Sequence, residues 1–130
     1  DIVLIDAPCT GSGTWRRRPD AKWRLTRKQL DIRKAEQAAI LGAACAFVKP
    51  GGLLAYVTCS VFPEENGAQI EAFRGRHTGD FHAIDHRALW DGKFPGHAEA
   101  ARIDGQGGIS LSPARSGTDG FYFCALRRQG

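Results

Sequence analysis

Two cysteines stand where an apolar run gives way to a polar loop, and they are the residues of this chain best placed to do chemistry. Cys9 lies in Asp6-Ala7-Pro8-Cys9-Thr10-Gly11-Ser12-Gly13, directly after the apolar Ile2-Val3-Leu4-Ile5, and Cys59 ends Leu53-Leu54-Ala55-Tyr56-Val57-Thr58-Cys59-Ser60 in the same way. The thiolate is the working form of cysteine, and a strand-end thiol near basic residues or a helix N-terminus has a lowered pKa. Two such thiols on one sheet edge are a redox pair, a nucleophile with a helper, or two small core residues. Redox pairs usually come as C-x-x-C, which is absent. Cys45 and Cys124 lie inside apolar runs and read as packing, whereas Cys9 and Cys59 sit at junctions and read as nucleophile and helper. Asp6 adds a carboxylate at the same edge.

These residues need elements that bring them together. Ile2 to Ile5 reads as a strand buried on both faces, stopped by Asp, Pro and Gly, and Leu53 to Ser60 reads as a second buried strand. Thr26-Arg27-Lys28-Gln29 is a capping-box pattern that opens a helix running to about Val48, apolar nearly all round in its second half. Lys49-Pro50-Gly51-Gly52 ends that helix. The unit is then a βαβ crossover, whose two parallel strands present their carboxyl ends on one edge, about 4.8 Å apart. In open α/β sheets that edge is where ligands bind. Cys9 and Cys59 are expected to face one cleft.

Further along, Pro63-Glu64-Glu65-Asn66 reads as a loop into a helix with acids at its positive end, and Ile70 and Phe73 form the helix's apolar stripe. Phe81-His82-Ala83-Ile84 is a short strand. Asp85 to Gly108 shows little periodicity and reads as a long surface excursion containing Trp90. His77, His82, His86 and His97 have no ligand spacing and read as surface residues. Gly117-Thr118-Asp119-Gly120 is turn chemistry before Phe121 to Leu126, a strand apolar on both faces and therefore interior.

At 130 residues and a net charge of +4 the chain is one domain at most. No apolar run approaches the length of a membrane helix and no secretory signal opens the chain, which predicts a soluble, cytoplasmic protein. The cysteines carry no zinc-ligand spacing, so no metal is expected. Arg16, Arg17, Arg18, Lys22, Arg24, Arg27, Lys28, Arg33 and Lys34 are half of the 18 Lys and Arg residues, interleaved with Trp15 and Trp23. Such a run suits phosphate contact and base stacking, or is simply a solvated helix face. The chain opens inside a strand, as the second half of a larger domain would.

Asp6 to Thr14, Arg17-Arg18-Pro19-Asp20-Ala21-Lys22-Trp23, Lys49 to Gly52, Tyr56 to Ser60 with Pro63 to Asn66, and Gly117 to Phe121 occur in an order that resembles the RNA cytosine-5 methyltransferases of the Sun/Fmu type. The resemblance runs from residue 1 to about 128. It implies an α/β fold, the C-terminal half of a class I (Rossmann-like) methyltransferase domain with a mixed sheet and flanking helices. This half would hold the fourth, fifth and closing strands, without the earlier strands that carry most of the S-adenosylmethionine site. It also implies residue roles. Cys59 would attack C6 of the cytosine, Cys9 would assist release of the covalent product, and Asp6 would bind the ring near N3. Asp6 and Pro8 would reach the inner side of the S-adenosylmethionine cofactor, and Arg16, Arg17, Arg18, Lys22 and Trp23 would contact ribosomal or transfer RNA. Ala114 and Gly67 depart from the family's usual residues but lie away from the thiols. The isolated chain is expected to be inactive or nearly so. The rivals are an RNA-binding piece without catalysis, and a methyltransferase whose attacking thiol is Cys9.

Overall fold

The computed structural model describes residues 1–130. Its elements in chain order are β1 (Ile2–Asp6), α1 (Pro19–Arg24), α2 (Arg27–Ala44), β2 (Leu53–Thr58), α3 (Gly67–Arg76), β3 (Phe81–Ala83), α4 (His86–Lys93), β4 (Arg102–Ile103), β5 (Ile109–Leu111), α5 (Pro113–Ser116) and β6 (Phe121–Arg128). β1 and β2 pair in parallel, Ile2 opposite Leu53 and Asp6 opposite Val57, with α2 in the crossover between them. β2 then pairs antiparallel with β6, which also takes β3 at one end and β5 at the other, and β4 closes the six-stranded sheet. The result is the mixed α/β sheet with flanking helices that the sequence led us to expect. No helix is long and apolar enough to cross a membrane.

Local chemistry explains the crossover. The Thr26 hydroxyl accepts the Gln29 N–H while the Gln29 side chain accepts the Thr26 N–H, so the capping box forms as read. Leu30, Leu41 and Ala44 turn inward. The α-helix tightens into a 3₁₀ turn at Cys45–Phe47 before Val48, and Gly51, at φ 75°, supplies the left-handed residue that redirects the chain into β2. Ile70 and Phe73 are fully buried on α3 and join Tyr56, Tyr122 and Leu126 in one core.

Three expectations change. β1 is an edge strand and not a doubly buried one, with Ile2 and Leu4 about two-thirds exposed because β2 is its only neighbour. An apolar run signals burial but not how many strands flank it, and the neighbouring face of α2 is open as well, with Ile40 exposed on it and Phe47 exposed in the turn that follows. The stretch from Asp85 to Gly108 is not structureless. Asp85 caps α4 by accepting the Ala88 N–H, and Arg102–Ile103 add a strand; both elements are too short for periodicity to reveal.

The third concerns His86, which is 1 % exposed and not a surface residue. Its Nε2 accepts the Ala125 N–H at 2.8 Å, so the folded imidazole is neutral with its proton on Nδ1. Burial pushes its pKa below the usual 6.5. The unfolded chain therefore binds a proton that the folded chain resists. The stability His86 contributes is complete above pH 6.5 and is lost as pH falls below it. Thermal melting at descending pH should show a falling midpoint, and His86→Gln, which keeps an acceptor but cannot titrate, should reduce the fall.

Candidate active site

Because β1 and β2 are parallel, their carboxyl ends open on one edge, and backbone hydrogen bonds continue past both strands. Ala7 N–H donates to the Val57 carbonyl, and Gly13 N–H donates to the Cys59 carbonyl, both at 2.9 Å. Gly120 N–H donates in turn to the Gly13 carbonyl at 2.8 Å. Three loops are thus laced together at two glycines. A Cβ on Gly13 would overlap the Gly120 carbonyl, and one on Gly120 would press on Val61, so neither position has room for a side chain.

This lacing sets Cys9 Sγ 3.4 Å from Cys59 Sγ, both half-buried. Two negative sulfurs at that distance repel, so the pair gives up one proton readily and holds the second. The hydrogen bond from Cys9 is the largest influence on Cys59 and brings its pKa down to about 7, against burial and the charges of Asp6 and Glu65. Cys9, hydrogen-bonded to Cys59 and the more deeply buried, is pushed well up and keeps the proton. The remaining thiols differ. Cys124 is buried and pushed up to about 12, and the Cys45 thiol donates back into its own helix at the Gly42 carbonyl. Iodoacetamide at rising pH is therefore expected to label Cys59 first, with a midpoint near pH 7, and Cys124 only on unfolding; site-resolved mass spectrometry checks the order.

A buried carboxylate holds the two thiol loops at this spacing. Glu65 is fully buried; it accepts the Thr10 N–H and hydroxyl at 2.9 and 2.7 Å, the Ser60 hydroxyl, and the Gln37 amide at 3.1 Å. Four donors converge on two oxygens, which matches the acceptor capacity of an ionised carboxylate. Ser12 completes the tie. Its hydroxyl accepts the Val61 N–H and lies 3.0 Å from the Ser60 hydroxyl. Thr10, Ser12, Gln37, Ser60 and Glu65 were not singled out from sequence. Glu65 lies in a stretch that was noticed, but as an acid at a helix start rather than as a centre.

The other candidate residues are placed as follows. Asp6 is exposed at the end of β1 with its carboxylate free of any hydrogen bond or ion pair, near enough to Cys59 for its charge to oppose the thiolate. The Pro8 carbonyl accepts the Gln37 amide at 2.9 Å. Much of the basic run is paired internally. Arg16 and Arg17 both reach Asp119, Arg24 pairs with Asp20, and Arg27 and Lys34 converge on Glu64. Arg18 makes no such pair. Lys22 Nζ lies 5.3 Å from the ring centre of Trp23, which is 81 % exposed. No three His, Cys, Asp or Glu side chains gather as they would around a metal.

A family model described as 16S rRNA methyltransferase RsmB/F matches residues 1–127. The chain belongs to this family. It is 41 % identical over 129 residues to a putative methyltransferase of Mycobacterium tuberculosis strain H37Rv, covering 98 % of the chain and 26 % of that protein. It is 38 % identical over 128 residues to ribosomal RNA small subunit methyltransferase B of Pasteurella multocida, again covering 98 % and 26 %. The chain therefore spans about a quarter of the length of these curated relatives. Among solved structures, that of PH0851 superposes with a TM-score of 0.84 at 35 % identity, over 98 % of this chain and 26 % of the other. The resemblance drawn from the motifs and the matched family agree, and the matched fold is the Rossmann-like one expected.

Proposed function

We propose that these residues form the thiol-bearing C-terminal part of an S-adenosylmethionine-dependent RNA methyltransferase domain that acts at C5 of a cytosine through a covalent bond to Cys59. The observation that carries the reading is the Cys9–Cys59 pair, one sulfur made acidic by the other at the functional edge of the sheet. The relative named for the small ribosomal subunit supports ribosomal RNA as the substrate and the cytoplasm as the compartment. The exposed apolar face of β1, and a span of a quarter of the relatives, support a domain completed by further sheet.

C5 of cytosine is a poor carbon nucleophile, and covalent addition at C6 divides one difficult step into easier ones. The Cys59 thiolate adds to C6 and the ring's electrons move towards C5, while Asp6, free of protein partners, holds the ring near N3. S-adenosylmethionine, when bound, would supply an electrophilic methyl group to C5. The free Asp6 carboxylate and the neighbouring Pro8 ring fit one rim of that cofactor and would hold its inner side. When the C5 proton passes to a water at the open edge, the C5–C6 double bond re-forms and the C6–sulfur bond breaks. Its electron pair returns to Cys59, and the Cys9 S–H is in place to stabilise the departing thiolate. Two solvent-facing groups, Lys22 and Trp23, suit a phosphate and an unstacked base.

The test is transfer of isotopically labelled methyl from S-adenosylmethionine to small-subunit ribosomal RNA by the full-length protein, followed by nucleoside analysis. Label in 5-methylcytidine supports the reading; label in another nucleoside, or RNA binding without transfer, overturns it. The 130 residues alone are expected to transfer little or nothing.

A further inference from the structure

A cleft that includes neither thiol opens beside the loop that follows Cys59 and is used by nothing above. It has a volume of about 440 Å³, is lined mostly by polar and charged residues, and lies between the loop that follows Cys59 and the strands β4 and β5. Ser60 and Val61 form one wall, so it begins at the residue after Cys59. Consecutive Cα atoms are about 3.8 Å apart, which puts Val61 within about 8 Å of Cys59 along the chain.

The chemistry of the other walls is specific. Phe121, 39 % exposed, stands between this cleft and an apolar groove lined by Trp90, Phe94 and Phe123, and pairs with no other ring. Arg102 is exposed and makes no ion pair and no side-chain hydrogen bond. Arg115 meets only Glu99, at 3.9 Å, whose own side chain is fully exposed. The carboxylate on this wall, Asp104, is occupied inward: it accepts the Gln106 and Gly108 N–H groups and the Tyr122 hydroxyl. Its charge is therefore engaged within the fold, while both guanidinium groups face the opening. This contrasts with the long basic run after Cys9, most of which carboxylates already neutralise.

We propose that this cleft is a subsite for the nucleotide adjacent to the target base, with the base stacked on Phe121 and the phosphate held by Arg102 and Arg115. The proposal rests on the RNA reading above and deepens it. Aromatic stacking with flanking cations is a sequence-tolerant way to hold single-stranded RNA. Its role here is positional. The target base must leave its stack, and gripping its neighbour holds the strand still beside Cys59 while the base is turned in.

The experiment is fluorescence anisotropy of a single-stranded RNA of about 12 nucleotides with one central cytosine, titrated with the full-length protein at several salt concentrations. Arg102→Ala combined with Arg115→Ala is expected to weaken binding about tenfold and to lower the salt slope by about 0.7 per arginine. Phe121→Ala is expected to weaken it by about 5- to 150-fold with an unchanged slope. Arg102 is exposed and makes no side-chain hydrogen bond or ion pair, so its variant reports on the cleft even if Phe121→Ala disturbs packing. Unchanged affinity and slope in the arginine variants overturn the subsite, as does a wild-type protein that binds no RNA. Methyl transfer by the same variants separates the two readings. Altered binding in a protein that never methylates keeps the subsite and removes the enzyme; full methylation with unaltered binding removes the subsite alone.

Discussion

Cys59→Ala is expected to abolish methyl transfer, by about 10⁴-fold or more, because in the proposed mechanism Cys59 makes the covalent bond to C6 while Cys9, pushed well up, keeps its proton. Cys9→Ala is expected to behave differently, and magnitudes show why. With its pKa at about 7 and not 9.0, Cys59 is about half thiolate at pH 7 instead of about one part in a hundred. The same lowering makes the thiolate a weaker nucleophile by about tenfold, since reactivity falls with basicity. The net help to attack is only about fivefold. Departure has no such compensation, because a more stable thiolate leaves faster. Cys9→Ala should therefore still attack RNA, more slowly below pH 8, and should then accumulate as a protein–RNA adduct. Denaturing gels after incubation with RNA and S-adenosylmethionine check this: a shifted band for Cys9→Ala, none for Cys59→Ala.

Glu65→Ala is expected to cost about 3–5 kcal/mol of stability, a large part of what a domain of this size possesses. The substitution strands donors from Thr10, Ser60 and Gln37 in the interior, each carrying a desolvation cost of about 1–3 kcal/mol when left unmade. Glu65→Gln keeps the volume but turns one acceptor into a donor facing donors, so it should rescue little. The variants also report on the thiols. Removing the Glu65 charge by itself would make Cys59 more acidic, but that charge is the smallest influence on Cys59, whereas the contact with Cys9 is the largest. Loosening the tie between the loops should therefore win, and the Cys59 alkylation midpoint should rise from about 7 towards the ordinary 9.0. Denaturant titration and the pH profile of alkylation, read on the full-length protein, test both parts.

The thiol pair was legible because period and punctuation are local properties. Apolar runs ended by Asp-Ala-Pro and by Thr-Cys-Ser mark strand ends, Thr26 and Gln29 mark the crossover helix, and parallel pairing then places Cys9 beside Cys59. What holds the pair together was not legible. Glu65 meets Thr10 across 55 positions of sequence, and nothing in Pro63 to Asn66 distinguishes a buried acid from the exposed Glu64 beside it. His86 was misplaced for the same reason, since its partner is a backbone N–H on a distant strand. The burial of β1 on both faces was misread because burial of a strand depends on its neighbours, which its own residues do not encode.

The most direct test of the account is to trap the full-length protein on RNA containing 5-fluorocytosine in the presence of S-adenosylmethionine, digest the adduct and map the modified peptide by mass spectrometry. Fluorine at C5 blocks loss of the proton there, so the covalent intermediate persists. The nucleotide is expected on Cys59, with Cys9 free and alkylatable after denaturation. A nucleotide on Cys9, or an adduct that still forms in Cys59→Ala, would contradict it.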